Sequence, residues 1–131
     1  VILIDSSVWI DYFNGRATPQ ALFVRENLGR EAFATGDLIL TEVLQGFRRD
    51  ADAERARSFL LSFDTFELAG VPVGLAAARN YRRLRAKGVT VRKTIDVIIA
   101  TFCITGGYTL LHADRDFDAM RDHLGLATLD V

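Results

Sequence analysis

The sequence predicts an α/β fold in which a short, mostly parallel sheet lies between two layers of helices. Three observations lead there. The runs 1–4 (Val-Ile-Leu-Ile) and 108–111 (Tyr-Thr-Leu-Leu) are short and rich in apolar residues, the pattern of strands covered on both faces, as in parallel sheets. Strand-like and helix-like segments alternate through much of the chain, which is the order a parallel sheet with crossover helices requires. The chain has 131 residues, 50% apolar and 25% charged, with no internal repeat, low-complexity tract or long linker. That length suits one domain spanning 1–131 with one sizeable core.

The elements follow in order. The first strand, 1–4, ends at Asp5. Ser6 or Ser7 is placed to cap a short helix that carries Val8, Trp9, Tyr12 and Phe13 up to Asn14-Gly15. Pro19 suits an early helical position, with Leu22, Val24 and Leu28 after it and Gly29 as the stop. A short strand is expected at 32–34. Residues 38–47 form a helix with a broad apolar face, then a polar stretch covers 48–55. A helix is expected over 56–63 with Phe59, Leu60 and Phe63 inward, and an edge strand over 66–68. Pro72 starts the longest helix, which ends at Gly88 and buries Val73, Ala76, Ala77, Tyr81 and Leu84. Thr94 is placed to cap a nearly continuous apolar helix. After the strand 108–111, Phe117, Met120 and Leu124 mark the last helix, and 126–129 are expected to return as a short strand.

Composition narrows the function. The formal net charge is -1, so nucleic-acid binding would have to come from a local patch. The only cysteine, Cys103, rules out an intrachain disulfide or a thiolate metal cluster, and it fits a reducing compartment. No apolar run approaches the length of roughly 20 residues that spans a bilayer, and no signal-peptide pattern is visible. A cytoplasmic protein without membrane contact is expected.

Five acids stand out by position. Asp5 and Asp114 follow predicted strands, where ligands collect in open parallel sheets. Glu42 lies in an apolar helix, Asp96 opens another between Ile95 and Val97, and Asp116 is two residues past Asp114. Two readings stay open on spacing alone. Each acid is explicable as a turn, cap, first-turn or solvated residue. Alternatively they converge, and converging carboxylates repel unless a divalent cation neutralises them. Oxygen ligands of this kind suit Mg²⁺ or Mn²⁺, ions that assist phosphoryl chemistry.

The motifs that contain these acids carry a resemblance. V-I-L-I-D-S-S-V-W-I-D-Y-F, T-E-V-L-Q-G, T-I-D-V-I-I-A-T-F and L-L-H-A-D-R-D-F-D resemble, in order, the four acidic motifs of VapC-type PIN domains, and together they reach from Val1 to Asp118. The resemblance implies a PIN-like three-layer α/β/α sandwich. It implies that Asp5, Glu42, Asp96 and Asp114 are active-site acids and metal ligands, with Asp116 a fifth ligand and Ser7 a hydroxyl hydrogen-bonded within the cluster. It also implies a Mg²⁺-dependent endoribonuclease, with Mn²⁺ as a substitute, that cuts RNA (transfer RNA among the candidates) to leave a 5′-phosphate and a 3′-hydroxyl. Toxins of this family are commonly homodimers. Each is held inactive by a cognate VapB-type antitoxin whose C-terminal segment reaches the acidic pocket.

Further residues stand out beside this set. Many relatives have Thr where this chain has His112. We read His112 as structural and not as a ligand, its imidazole either making the hydroxyl's local hydrogen bond or losing it. His123 has no catalytic part. Arg79, Arg82, Arg83, Arg85 and Lys87 crowd the end of the long helix, and Arg92 and Lys93 precede Asp96. They are either a solvated face or a track for RNA phosphates or for antitoxin acids, with Arg82, Arg83, Arg92 and Lys93 the main candidates. Trp9, Tyr12 and Phe13 share one helix face and read as core or partner contact, while Phe47 can join a partner groove. The competing functions are RNA processing outside a toxin–antitoxin pair, a degenerate PIN-like binding protein, and a phosphotransfer domain. A degenerate protein would be expected to have lost acids. A phosphotransfer domain would need a phosphate loop, and no G-x-x-x-x-G-K-[ST] occurs.

Overall fold

The computed structural model describes residues 1–131. Four strands, β1 (Ile2–Ile4), β2 (Phe33–Gly36), β3 (Asp64–Phe66) and β4 (Thr109–Leu111), form one parallel sheet in the order β3-β2-β1-β4. Seven helices connect them: α1 (Ser6–Phe13), α2 (Pro19–Asn27), α3 (Asp37–Leu44), α4 (Asp50–Leu60), α5 (Val71–Ala86), α6 (Thr94–Gly106) and α7 (Asp116–Leu124). α1 packs on α2 and α3, while α5, α6 and α7 pack on one another. This is the α/β/α sandwich that the sequence predicts.

The connectivity decides where a site can form. From β1 the chain steps outward to β2 and β3, then returns through α5 and α6 to place β4 on the other side of β1. The direction of winding therefore reverses between β1 and β4, and the crevice beyond the carboxyl ends of two such strands is where open α/β sheets bind ligands. The two strands end level, with Ile4 opposite Leu111, and the Asp5 N–H donates to the Leu111 carbonyl at 2.9 Å.

A single apolar cluster holds the layers together. Leu3, Ile4, Leu110 and Leu111 are fully buried in the sheet, with Ile39, Leu60, Ile99, Phe117 and Met120 packed over it. Trp9 anchors α1 with no exposed surface, its ring 5.5–6.0 Å from the rings of Tyr12, Phe13, Phe59 and Phe63. Truncating such a residue to Ala costs about 3–5 kcal/mol. Trp9 is thus core, while Tyr12 and Phe13 pack against it half-buried and Phe13 also lines a surface groove.

Several local expectations shift. The N-cap of α1 is Asp5, whose carboxylate accepts the Ser7 N–H; neither Ser6 nor Ser7 caps it, because both are already helical. Thr94 likewise lies inside α6, and Lys93 holds the N-cap position without a side-chain bond. β2 runs on to Gly36, because it pairs with β3 through Thr35 and Gly36, and Thr35 is fully buried although polar. A Cβ at Gly36 would run into the Leu68 side chain. β3 occupies Asp64–Phe66 rather than 66–68: the Leu68 N–H is taken by the Asp37 carboxylate at 2.9 Å, which ends the ladder early. α4 starts at Asp50, six residues before the expected start, since Asp50 and Asp52 favour its exposed first turn. The expected strand at 126–129 is reduced to a single parallel bridge from Thr128 to Leu110.

Candidate acidic site

Four elements deliver acids to one edge of the sheet. Asp5 follows β1 directly, Asp114 lies three residues beyond β4, Glu42 comes from α3 after β2, and Asp96 sits in the first turn of α6. With Ser6, Ser7, Ile10, Gln45 and Lys93 these four line one pocket of about 220 Å³. Asp116 opens α7 beside it. The acids of the four motifs therefore meet in space, although Asp5 and Asp114 are far apart in the chain.

They form two triads that share Asp96. Each residue of the inner triad, Asp5, Glu42 and Asp96, offers a carboxylate oxygen within 4.8 Å of the others, and so does each of the outer triad, Asp96, Asp114 and Asp116. The inner triad is the drier. Asp5 and Asp96 are each only 3% exposed. Asp5 Oδ2 is well satisfied, accepting the Ser7 Oγ–H at 2.6 Å and the Ser7 N–H at 3.0 Å. Asp5 Oδ1 and Asp96 Oδ2, by contrast, are buried with no hydrogen-bond partner. An ionised oxygen held out of water in this way is costly unless a cation meets it.

The electrostatics follow from that burial. Burial and the neighbouring carboxylates of Asp5, Asp114 and Glu42 push the Asp96 carboxyl up to about 7, against the opposing pull of Lys93. Asp5 is raised by burial in spite of its bonds from Ser7 and Ser6. Glu42 is raised by burial and by Asp5 and Asp114, with its Ser6 bond and Lys93 opposing. Burial pushes the Cys103 thiol up to about 12, so it is no nucleophile.

Positioning contacts surround the acids. Ser7 Oγ also accepts the Ala113 N–H at 3.0 Å, tying the carboxyl end of β1 to the loop that carries Asp114. Ser6 donates its hydroxyl to Glu42 Oε1 at 3.0 Å, a contact that sequence reasoning missed because Ser6 was considered only as a cap. His112 makes the local bond that a hydroxyl would make: its Nδ1 accepts the Asp114 N–H at 3.2 Å, and its ring lies 5.1 Å from Phe117. Burial holds its imidazole below the usual value, which suits an accepting Nδ1. The Asp116 N–H donates to Asp114 Oδ1 at 3.0 Å.

The basic residues divide. Arg92 turns onto the outer triad, with Nε 3.2 Å from Asp116 and a terminal nitrogen 3.7 Å from Asp114. Lys93 lies on the pocket wall. Arg82 and Arg83 are exposed on α5, and Arg82 borders an apolar depression with Tyr81, Thr94 and Ile98. Phe47 joins Ile10, Phe13 and Val43 in a groove next to the acidic pocket, and Ile10 lines both.

The donor set is all oxygen, the inner acids are short of partners, and the oxygens lie close enough to share an ion. These residues fit a hard divalent cation. No helix is long and apolar enough to cross a membrane.

Comparison with known proteins bears on this geometry. The model of the PIN domain family matches residues 2–122. Over 122 residues the chain is 33% identical to the VapC ribonuclease Mb1587 of Mycobacterium bovis, covering 92% of this chain and 91% of that protein. Ribonuclease VapC11 of Mycobacterium tuberculosis matches to the same extent, with 33% identity and the same coverage. Among solved structures, VapBC2 from Rickettsia felis, bound to a DNA fragment from its promoter, superposes with a TM-score of 0.78 at 12% identity, covering 99% of this chain and 98% of that one. At that identity the likeness concerns the fold.

Proposed function

The chain belongs to the PIN-domain family, among relatives that are VapC ribonucleases, and from that premise we propose that it is the toxin of a toxin–antitoxin pair, a Mg²⁺-dependent endoribonuclease. The observation that carries the proposal is the pair of buried, partnerless oxygens, Asp5 Oδ1 and Asp96 Oδ2, in a triad of carboxylates within 4.8 Å. Turn and cap roles explain Asp5 as far as Oδ2 but leave Oδ1 without a purpose, and they leave Asp96 buried against its own electrostatics.

In this reading Asp5, Glu42 and Asp96 hold one cation, and Asp114 and Asp116 join Asp96 toward the solvent side. Mg²⁺, or Mn²⁺ in its place, would supply Lewis acidity toward an RNA phosphate and activate water. The chain's own residues do the rest. Ser7 fixes the rotamer of Asp5 and the approach of the β4 loop, while Ser6 aims Glu42. His112, as the neutral tautomer, keeps the Asp114 backbone in place and does not exchange protons with substrate. Asp5 and Asp96 are themselves buried, which keeps bulk water from screening them. Lys93 and Arg92 at the mouth, with Arg82 and Arg83 further out, would meet RNA phosphates, and they supply the positive patch that a net charge of -1 does not.

The partner reading rests on the groove of Ile10, Phe13, Val43 and Phe47 beside the acids. An antitoxin segment laid there would end at the carboxylates, where a basic side chain could replace the cation. A homodimer and a structured substrate such as transfer RNA belong to the same proposal.

The test is cleavage of a structured RNA by the purified chain with Mg²⁺, with Mn²⁺ and with EDTA, the products mapped at their ends. Cleavage should need the metal and leave 5′-phosphates. Undiminished cleavage in EDTA would overturn the proposal.

A further inference from the structure

Arg92 makes two contacts that its exposure does not require. Its side chain is 71% exposed, yet the guanidinium lies against Asp116 at 3.2 Å and Asp114 at 3.7 Å, whose side chains are only 17% and 19% exposed. Those two acids are the solvent-side members of the outer triad, and the third member, Asp96, brings an oxygen that is buried and partnerless. Arg92 also sits one residue from Lys93 on the pocket wall, on the segment that leads into α6.

We infer that Arg92 is a displaceable occupant of the outer triad: its guanidinium and a divalent cation compete for Asp114 and Asp116, and the cation's arrival frees Arg92 to meet an RNA phosphate. The inference rests on the reading above that these acids hold divalent cations. Three physical points support it. First, the oxygens are shared. Arg92 contacts Asp114 and Asp116, the same two carboxylates that stand within 4.8 Å of Asp96, so a cation shared by the three acids would lie close to the guanidinium's like charge. Second, the guanidinium spans two carboxylates with one contact to each and does not form the two-pronged pair with a single carboxylate that makes arginine bonds strong. An exposed pair of this kind contributes little and yields readily to a doubly charged competitor. Third, the fork released from the carboxylates matches a phosphate equally well. Metal loading and RNA capture would then be linked through one side chain, and an outer site left without a cation would keep the guanidinium engaged by the two carboxylates.

The experiment is Mn²⁺ binding to the full chain, read by electron paramagnetic resonance and calorimetry, for wild type, Arg92→Gln and Arg115→Gln. Arg115 is the fair control, because it stands between Asp114 and Asp116 in sequence, is exposed, and pairs with neither. Arg92→Gln should tighten the weaker Mn²⁺ site by about three- to fivefold, the size expected for an exposed ion pair, and leave the tighter site unchanged. Arg115→Gln should change it by less than about half as much. In parallel, Mg²⁺ should shift the Arg92 Nε–H resonance in a nitrogen-15 spectrum of the wild type. Equal tightening in both variants, or none in Arg92→Gln, would overturn the inference and leave the metal reading standing. Failure of the wild type to bind any Mn²⁺ would overturn the metal reading itself.

Discussion

The two triads of the acidic site use the same chemical groups in different surroundings. The inner acids, Asp5, Glu42 and Asp96, meet no guanidinium, and two of their oxygens have no partner. The outer acids, Asp114 and Asp116, are satisfied without any ion: one accepts a backbone N–H, and both are bridged by Arg92. A carboxylate's need for a metal is therefore not legible in its identity. It comes from how the fold pairs that carboxylate: Arg92 lies directly on the outer acids, whereas Lys93, on the pocket wall, acts on the inner ones only across the pocket and forms no ion pair with them. The shared residue, Asp96, feels both sets of neighbours, since Asp5, Asp114 and Glu42 all raise it.

The largest expected effect separates the triads directly. Asp5→Asn removes charge from the inner triad and should lower RNA cleavage by about 10³-fold, the scale on which a catalytic cation stabilises a transition state. Asp116→Asn should cost about tenfold, since its partners are already protein groups. Rate measurements on both variants at saturating Mg²⁺ check the ordering; equal losses would mean that the two halves act as one.

A second contrast is in pH. The Asp96 carboxyl titrates at about 7 in the folded chain against an ordinary 3.8, so between those values the folded chain keeps a proton that the unfolded chain has released. This group's contribution to stability is fully present below its unfolded value and is lost as pH rises through about 7. In EDTA, Asp96→Asn should therefore melt several degrees above wild type at about pH 8, and the gap should close toward about pH 4. Saturating Mg²⁺ should reverse it, because only the wild type gains from binding. A gap in EDTA that widened on acidification would contradict the sign.

The smallest effect lies furthest from the acids. Arg82→Ala with Arg83→Ala should weaken RNA binding and lower the salt dependence of the affinity by up to about two counterions, without altering Mn²⁺ affinity. An unchanged salt slope would return α5 to a solvated surface, and weakened antitoxin binding would place these residues at the partner interface.

How much of this was legible in the sequence depends on range. β1 and β4 were readable because a run buried on both faces carries its burial in its own composition. The acids were readable because each interrupts such a run or follows it. Family resemblance put Ser7 beside the acids, and in the structure its hydroxyl bridges Asp5 and the β4 loop. What was not legible needed a partner distant in the chain. The ladder of β3 stops because Asp37 takes the Leu68 N–H. β2 hides a buried threonine that pairs with β3. Ser6 matters through Glu42, 36 residues away, and Arg92 through Asp116, 24 residues away. The caps were misassigned for a related reason: the residue that caps α1 is Asp5 itself, a member of the inner triad, so one side chain serves both the fold and the acidic cluster.

The most direct test of a cation held by the inner triad and used for cleavage is RNA hydrolysis by Asp96→Asn, which keeps the size of the side chain and removes the charge common to both triads. With folding verified by circular dichroism, the variant should cleave a structured RNA at least about 10³-fold more slowly than wild type at saturating Mg²⁺, and it should not be rescued by Mn²⁺. Near-normal cleavage by the folded variant would contradict the site assignment.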